Sequence, residues 1–228
     1  MEHKVIDFAI QLAVILFSIS FHESAHAWSA LRFGDTTARD LGRISLNPIR
    51  HIDPVGSIVV PLVLYFTTGF IFGSAKPTPV DLRNTRNPRL ANLVVSAAGP
   101  LSNFLLAGVG LLAFEVIKRT NRQAMIDLYE ALQFGHFGSG VMAPITYLLF
   151  FFVLVNVMLG VFNLIPIPPL DGSGVLLSVG GPPVARVFEV IRPFGFIILL
   201  LLVMSPILGR ILLPIQRSVQ ILIFSGLS

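Results

Sequence analysis

The sequence contains no cysteine and only one tryptophan, and just 12% of its 228 residues are charged. The missing thiols exclude disulfides and thiolate metal sites, so any bound metal must use imidazole and carboxylate ligands. The shortage of charge excludes an ordinary soluble domain, in which about a quarter of residues are charged. Hydrocarbon takes the place of charge: 54% of residues are hydrophobic, 19 are phenylalanine, and mean hydropathy is +0.82. The chain therefore reads as an integral membrane protein. Its net charge of +4 is spread through the connecting segments, which suits cytoplasmic loops better than a nucleic-acid surface. No internal repeat, low-complexity tract or soluble accessory domain is visible, so residues 1–228 are expected to form one membrane unit.

Polar groups inside such a sequence carry the information. Residues 5–20 are almost purely apolar, without proline or glycine, and run straight into Phe21-His22-Glu23-Ser24-Ala25-His26. With no small-residue cleavage site after it, this run is expected to be a retained span and not a cleaved signal peptide. On a helix, His22 and His26 lie one above the other on one face and can hold one metal ion. Glu23, beside the first of them, can reach a water at that metal. This is the HExxH pattern of metal-dependent peptide hydrolysis. A lone histidine on an apolar face is usually a hydrogen-bonded core residue. Here two imidazoles and a carboxylate fall within five positions, and an ionised group at membrane depth costs roughly 3 kcal/mol or more. A divalent cation offsets that cost.

Hydrophobic segments fall at about 5–30, 55–73, 91–117, 145–165 and 193–225, and a span needs about 20 apolar residues. Three qualify clearly; 55–73 is borderline, and 193–225 is long enough for a hairpin turning near Ser205-Pro206 or Gly209-Arg210. The expected fold is an all-α integral membrane protein with about four to six transmembrane helices. A short re-entrant or β segment should lie between the first two full spans. Residues 42–48 alternate polar and apolar up to Pro48, predicting a short strand. His51 and Asp53 are candidate ligands, but an i, i+2 pair before proline is more often a turn with local hydrogen bonds. Asn103 reads as a structural hydrogen-bonding residue, Asn156 has no evident role, and a lone His136 beside glycines points to nothing in particular.

The HExxH motif supplies two ligands and needs a third. Prolines at 166, 168 and 169 must end the 145–165 helix near Leu164, leaving Asp171-Gly172 in a turn at that end. An ordinary Asp-Gly turn is the plainer reading, but Asp171 is the best carboxylate left near membrane depth. For it to meet His22 and His26, the first span and the 145–165 span must run parallel. One full crossing must then separate them: 91–117 should cross, and 55–73 should dip in and return or lie in the interface. Residues 31–90 would share one side, with eight Arg and Lys against three in the polar excursion at 118–144. The positive-inside rule makes that side, and the site, cytoplasmic.

Three stretches together, Phe21-His22-Glu23-Ser24-Ala25-His26, Gly99-Pro100-Leu101-Ser102-Asn103 and Asn163-Leu164-Ile165-Pro166-Ile167-Pro168-Pro169-Leu170-Asp171-Gly172, resemble the site-2 protease family of intramembrane zinc metalloproteases. Gly42-Arg43 and His51-Ile52-Asp53-Pro54-Val55-Gly56 resemble its compact branch, which lacks PDZ and CBS domains. The resemblance implies Zn²⁺ on His22, His26 and Asp171, with Glu23 as general base, and cleavage of transmembrane substrate proteins within or near their spans. It implies that Asn163 contacts substrate. It places a catalytic core at about 5–190, a hydrophobic hairpin at about 191–228, and the chain in the lipid bilayer as a multi-pass protein, expected in the cell membrane. The alternative from another class is a metal-binding membrane protein without protease activity, a transporter or scaffold. The middles of 91–117 and 145–165 carry asparagines but no ionisable residue, a poor ion path.

Overall fold

A computed structural model describes residues 2–68, 71, 73–135 and 140–226. His136 lies outside them. Nine α-helices are present among the described residues: α1 (Glu2–Arg32), α2 (Thr37–Asp40), α3 (Val60–Thr68), α4 (Pro88–Thr120), α5 (Arg122–Phe134), α6 (Met142–Asn163), α7 (Asp171–Ile191), α8 (Gly195–Met204) and α9 (Pro206–Phe224). Among the described residues, five helical stretches are long and apolar enough to cross a membrane: 4–32, 88–120, 142–163, 171–204 and 206–224. Helices dominate because hydrocarbon offers no partner for a backbone N–H or C=O, and a helix satisfies both within itself.

Three helices make the frame. Along α1 from His26 to Ser18, the partners on α4 advance from Val95 to Asn103, so α4 runs antiparallel to α1. On α6 the partner of Asn103 is Asn156, and Gly110 meets Val153, so α6 runs antiparallel to α4. α1 and α6 are therefore parallel with one crossing between them, the order that a shared site at their C-terminal ends requires. Lipid tails are as apolar as leucine, so association between spans relies on close packing and buried polar contacts. Gly110 shows the first: a Cβ there would lie 2.6 Å from Val153 Cγ2. Leu101, Leu105, Val109, Leu112 and Val116 form the outward stripe of α4, all exposed.

The borderline segment doubles back, so that its two ends meet. Asp53 caps a π-helical turn, Pro54–Val59, by accepting from the Gly56 N–H at 2.6 Å. α3 continues to Tyr65, whose hydroxyl donates to Asp7 near the start of α1. The chain then returns, with the Ser74 N–H bonded to Gly56 O at 2.9 Å and Ser57 Oγ to Ser74 O at 2.6 Å. Such backbone is tolerated at membrane depth only when its polar groups find partners inside the protein. Asp7 joins three elements at this far end, accepting also from Tyr147 on α6 and from Gln11.

Two local expectations are corrected. No strand is present among the described residues. Within 42–48 the Arg43 N–H donates to Ala38 O, and Ser45 O accepts from Ser24 Oγ and faces His51 Nε2. These contacts fold the stretch into a compact turn. The excursion at 118–144, expected as a polar connector, contains α5, whose Met125 and Leu128 pack on Phe114, Phe150 and Ile223. Ala124, Leu128, Ala131 and Leu132 follow helical spacing, and Asn121 caps the helix through the Ala124 N–H. The C-terminal apolar stretch breaks at Ser205, and α7 is itself kinked at Gly181 (φ 68°), ahead of Pro182 and Pro183.

Beyond α1, Asp35 is fully buried and accepts from the Thr37 N–H and hydroxyl, the Asp81 N–H and Asn84 Nδ2. Burial pushes its carboxyl up, but these donors outweigh it and hold it below the usual carboxylate range.

Candidate metal centre

The HExxH stretch sits in the last third of α1, on the face packed against α4. His22 and His26 are buried, their rings edge to face with centroids 4.7 Å apart. Each imidazole is oriented through Nδ1 by an oxygen on α4. His22 Nδ1 lies 2.6 Å from Asn103 Oδ1, and His26 Nδ1 lies 2.6 Å from Val95 O. An oxygen acceptor at that distance puts the proton on Nδ1 and leaves the Nε2 lone pair free. Both Nε2 atoms point to one spot, 3.0 Å apart.

Asp171 completes the cluster. The prolines end α6 as expected, but residues 164–170 make the turn, and Asp171 is the first residue of α7, not part of an Asp-Gly turn. Its Oδ2 lies 3.0 Å from His22 Nε2 and 3.4 Å from His26 Nε2. Among the described residues, His22, His26 and Asp171 are the one group of three or more potential ligands with converging donor atoms.

These three atoms fit a tetrahedral metal. Bonds of about 2.0–2.1 Å at tetrahedral angles put ligand atoms about 3.3 Å apart, against the 3.0, 3.0 and 3.4 Å observed. Three lone pairs face each other with both imidazole protons on the far nitrogens, and the buried Asp171 Oδ2 has no hydrogen-bond partner. A divalent cation fits such a triangle. Gly99 on α4 keeps the space clear: a Cβ there would lie 2.5 Å from both Nε2 atoms.

Asn103, read from the sequence as a structural hydrogen-bonding residue, and Asn156, which had no evident role there, form a buried network behind His22. Asn103 Nδ2 donates to Asn156 Oδ1 at 2.9 Å and to Ser18 O at 3.4 Å. Asn156 Nδ2 donates to Ser18 Oγ and Phe152 O. Both side chains are fully buried, so Asn103 has its amide orientation set before it meets the imidazole. Replacing Asn103 by Ala is expected to weaken metal binding about 10- to 100-fold, the usual effect of losing such a partner. Chelator competition measures it, and unchanged affinity would mean the His22 ring is held without Asn103.

Glu23, half-buried beside His22, is bound from a distant part of the chain: the Thr78 N–H donates to Glu23 Oε2 at 2.7 Å, and Thr78 Oγ1 to Glu23 O at 3.1 Å. Asn163 is not joined to the cluster; at the end of α6 its Nδ2 donates to Leu159 O one turn back. His51 and Asp53 also lie outside it, with His51 Nε2 on Ser45 O and Asp53 capping its own turn.

The model of peptidase family M50 matches residues 10–202. The chain belongs to peptidase family M50. It is 34% identical over 204 residues to "Putative zinc metalloprotease YwhC" of Bacillus subtilis, covering 90% of this chain and 84% of that one. It is 31% identical over 204 residues to "Putative zinc metalloprotease Rip2" of Mycolicibacterium smegmatis, covering 89% and 70%. "Protease RseP" of Photorhabdus luminescens is 41% identical over 129 residues, covering 48% and 54%. No solved structure matches. This M50 chain is thus a zinc-dependent intramembrane endopeptidase, a multi-pass membrane protein acting on membrane-protein substrates. That sets aside the transporter or scaffold alternative.

Proposed function

We propose that this M50 peptidase holds its zinc ion with His22, His26 and Asp171, uses Glu23 as general base, and cuts substrate proteins at a cytoplasmic-side site. The observation that carries the reading is the convergence of three acceptor atoms within 3.4 Å, one of them a buried carboxylate oxygen with no hydrogen-bond partner. Zinc, when bound, polarises a carbonyl and brings the pKa of a water down to about 7.

The remaining steps belong to the protein. Asn103 and Val95 O keep the two imidazoles as Nδ1–H tautomers with Nε2 free. Glu23 takes the proton of the attacking water and delivers it to the leaving amine. One of its oxygens is held by Thr78, and a carboxylate has lone pairs to spare for the proton. Asn163, at the substrate end of α6, contacts the substrate. A substrate helix has its carbonyls tied in i to i−4 bonds, so the scissile stretch must unwind before attack. The site lies on the cytoplasmic side of the cell membrane, a reading supported by the eight Arg and Lys of 31–90 against three in 118–144. Residues 1–228 act as one unit, with its catalytic core at about 5–190 and a hydrophobic hairpin at about 191–228.

Glu23→Gln keeps the shape and removes the base. Detergent-purified protein carrying it is expected to retain its zinc while cleavage of a single-span substrate falls by about 10²–10⁴-fold, the usual worth of a general base. Turnover close to wild type would remove Glu23 from that role.

A further inference from the structure

We infer that Thr78 is a positioning residue for Glu23, acting through its backbone N–H at the centre of a proline-stiffened bracket over residues 74–81. The inference rests on the reading of Glu23 as the base.

The sequence here is Ser74-Ala75-Lys76-Pro77-Thr78-Pro79-Val80-Asp81. Every residue from 76 to 79 either is a proline or precedes one. Proline fixes its own φ and pushes the residue before it into extended conformations. Four consecutive residues are therefore stiff before any tertiary contact forms, so little conformational entropy is lost in holding them. A flexible loop in this place would hold a carboxylate poorly.

The bracket is tied down on both sides of Thr78. On one side the Ser74 N–H bonds to Gly56 O at 2.9 Å and the Lys76 N–H to His51 O at 2.9 Å. His51 is itself fixed to α1, because its Nε2 and Ser24 Oγ share Ser45 O, at 2.8 and 2.5 Å. On the other side the Asp81 N–H donates to Asp35 Oδ2 at 2.7 Å, and the Asp35 N–H donates to Ala30 O at 3.1 Å, at the end of α1. His51 is 1% exposed and Asp35 0%. These two buried polar residues, both outside the metal cluster, thus act alike, attaching the bracket to α1 on either side of Thr78, at Ser24 and at Ala30. Between them, Thr78 grips Glu23 twice, at the carboxylate and at the backbone carbonyl.

The proline pattern also sets which groups are offered. Lys76 supplies the N–H bonded to His51 O and Thr78 the one bonded to Glu23 on α1, whereas Pro77 and Pro79 have none. The intervening positions cannot donate to anything lying on the opposite side, so the bracket has no N–H at 77 or 79 with which to bind a substrate backbone there. Its polar backbone serves the enzyme's own base.

The test removes one N–H. Replacing Thr78 with its α-hydroxy acid analogue deletes the donor to Glu23 Oε2 and keeps the side chain. Cleavage of a single-span substrate is expected to lose about tenfold to 100-fold in kcat, the scale of a misplaced catalytic group, with KM and zinc stoichiometry unchanged. Thr78→Val keeps the N–H and should remain within about threefold of wild type, the scale of losing one neutral hydrogen bond. The inference fails if the α-hydroxy analogue retains wild-type kcat, if it loses zinc, or if Thr78→Val is equally impaired. Glu23→Gln, run beside these, separates the two readings. An active Glu23→Gln enzyme removes the base itself, whereas an inactive one beside a fully active analogue removes only the bracket.

Discussion

Gly99→Ala is expected to empty the metal centre while leaving the surrounding helices folded. The added Cβ would sit 2.5 Å from His22 Nε2 and from His26 Nε2. Zinc–nitrogen bonds are about 2.0–2.1 Å, so a methyl group there competes for the space that the ion would fill. Neither imidazole can retreat easily, since each is held at Nδ1 by a 2.6 Å contact to α4. Pushing α4 away from α1 would break the Asn103 and Asn156 network, and overpacking costs of about 1–3 kcal/mol are typical even without a metal. The purified variant should carry less than about a tenth of the wild-type zinc and lose cleavage by at least 10³-fold, on the order of the metal's whole contribution to hydrolysis. Gly108→Ala, about two and a half turns further along α4, is the control because nothing lies within 4 Å of its added Cβ. Full zinc in the Gly99→Ala protein would mean that the ion is held elsewhere.

Asp171→Asn removes one negative charge and one ligand with almost no change in volume. A structural zinc site of four ligands binds with about 10–16 kcal/mol. One ligand then carries about 3 kcal/mol, which converts to an affinity loss on the order of 10²-fold. The loss should be the larger because Asp171 is the only carboxylate in the cluster, and the one that brings a second span to α1. Zinc titration against a competing chelator reads the change. Equal zinc affinity in the two proteins would take Asp171 out of the ligand set.

Much of this centre was legible because lipid makes polar residues conspicuous. His22, Glu23 and His26 stand out in a run of apolar residues, and their spacing alone places both imidazoles on one face. Asp171 followed from a shortage of alternatives: without cysteine, few ligands remain. The parallel course of α1 and α6 was legible too, since only an odd number of crossings lets their C-terminal ends meet. The residues that went unread act through contacts with no local signature. Asn103 meets His22 across 81 positions of sequence and Thr78 meets Glu23 across 55. An asparagine in an apolar helix looks the same whether it orients a ligand or joins two spans. The stiff Lys76-Pro77-Thr78-Pro79 pattern was visible as a loop, but nothing in it names the carboxylate that it faces.

The errors have physical causes as well. Alternation of polar and apolar residues at 42–48 resembles a strand, but a strand needs a partner, and the backbone there bonds to α2 and to the side chain of Ser24. α5 was hidden because its polar face dominates a short window, while Met125 and Leu128 supply the apolar stripe that docks it.

The most direct test of a single zinc ion shared by two spans is X-ray absorption at the zinc edge on the purified protein, together with metal analysis. One zinc per chain is expected, with two imidazole nitrogens and at least one carboxylate oxygen at about 2.0–2.1 Å, and with one imidazole lost in His26→Ala. A spectrum without imidazole scattering, or one unaltered by His26→Ala, would contradict it.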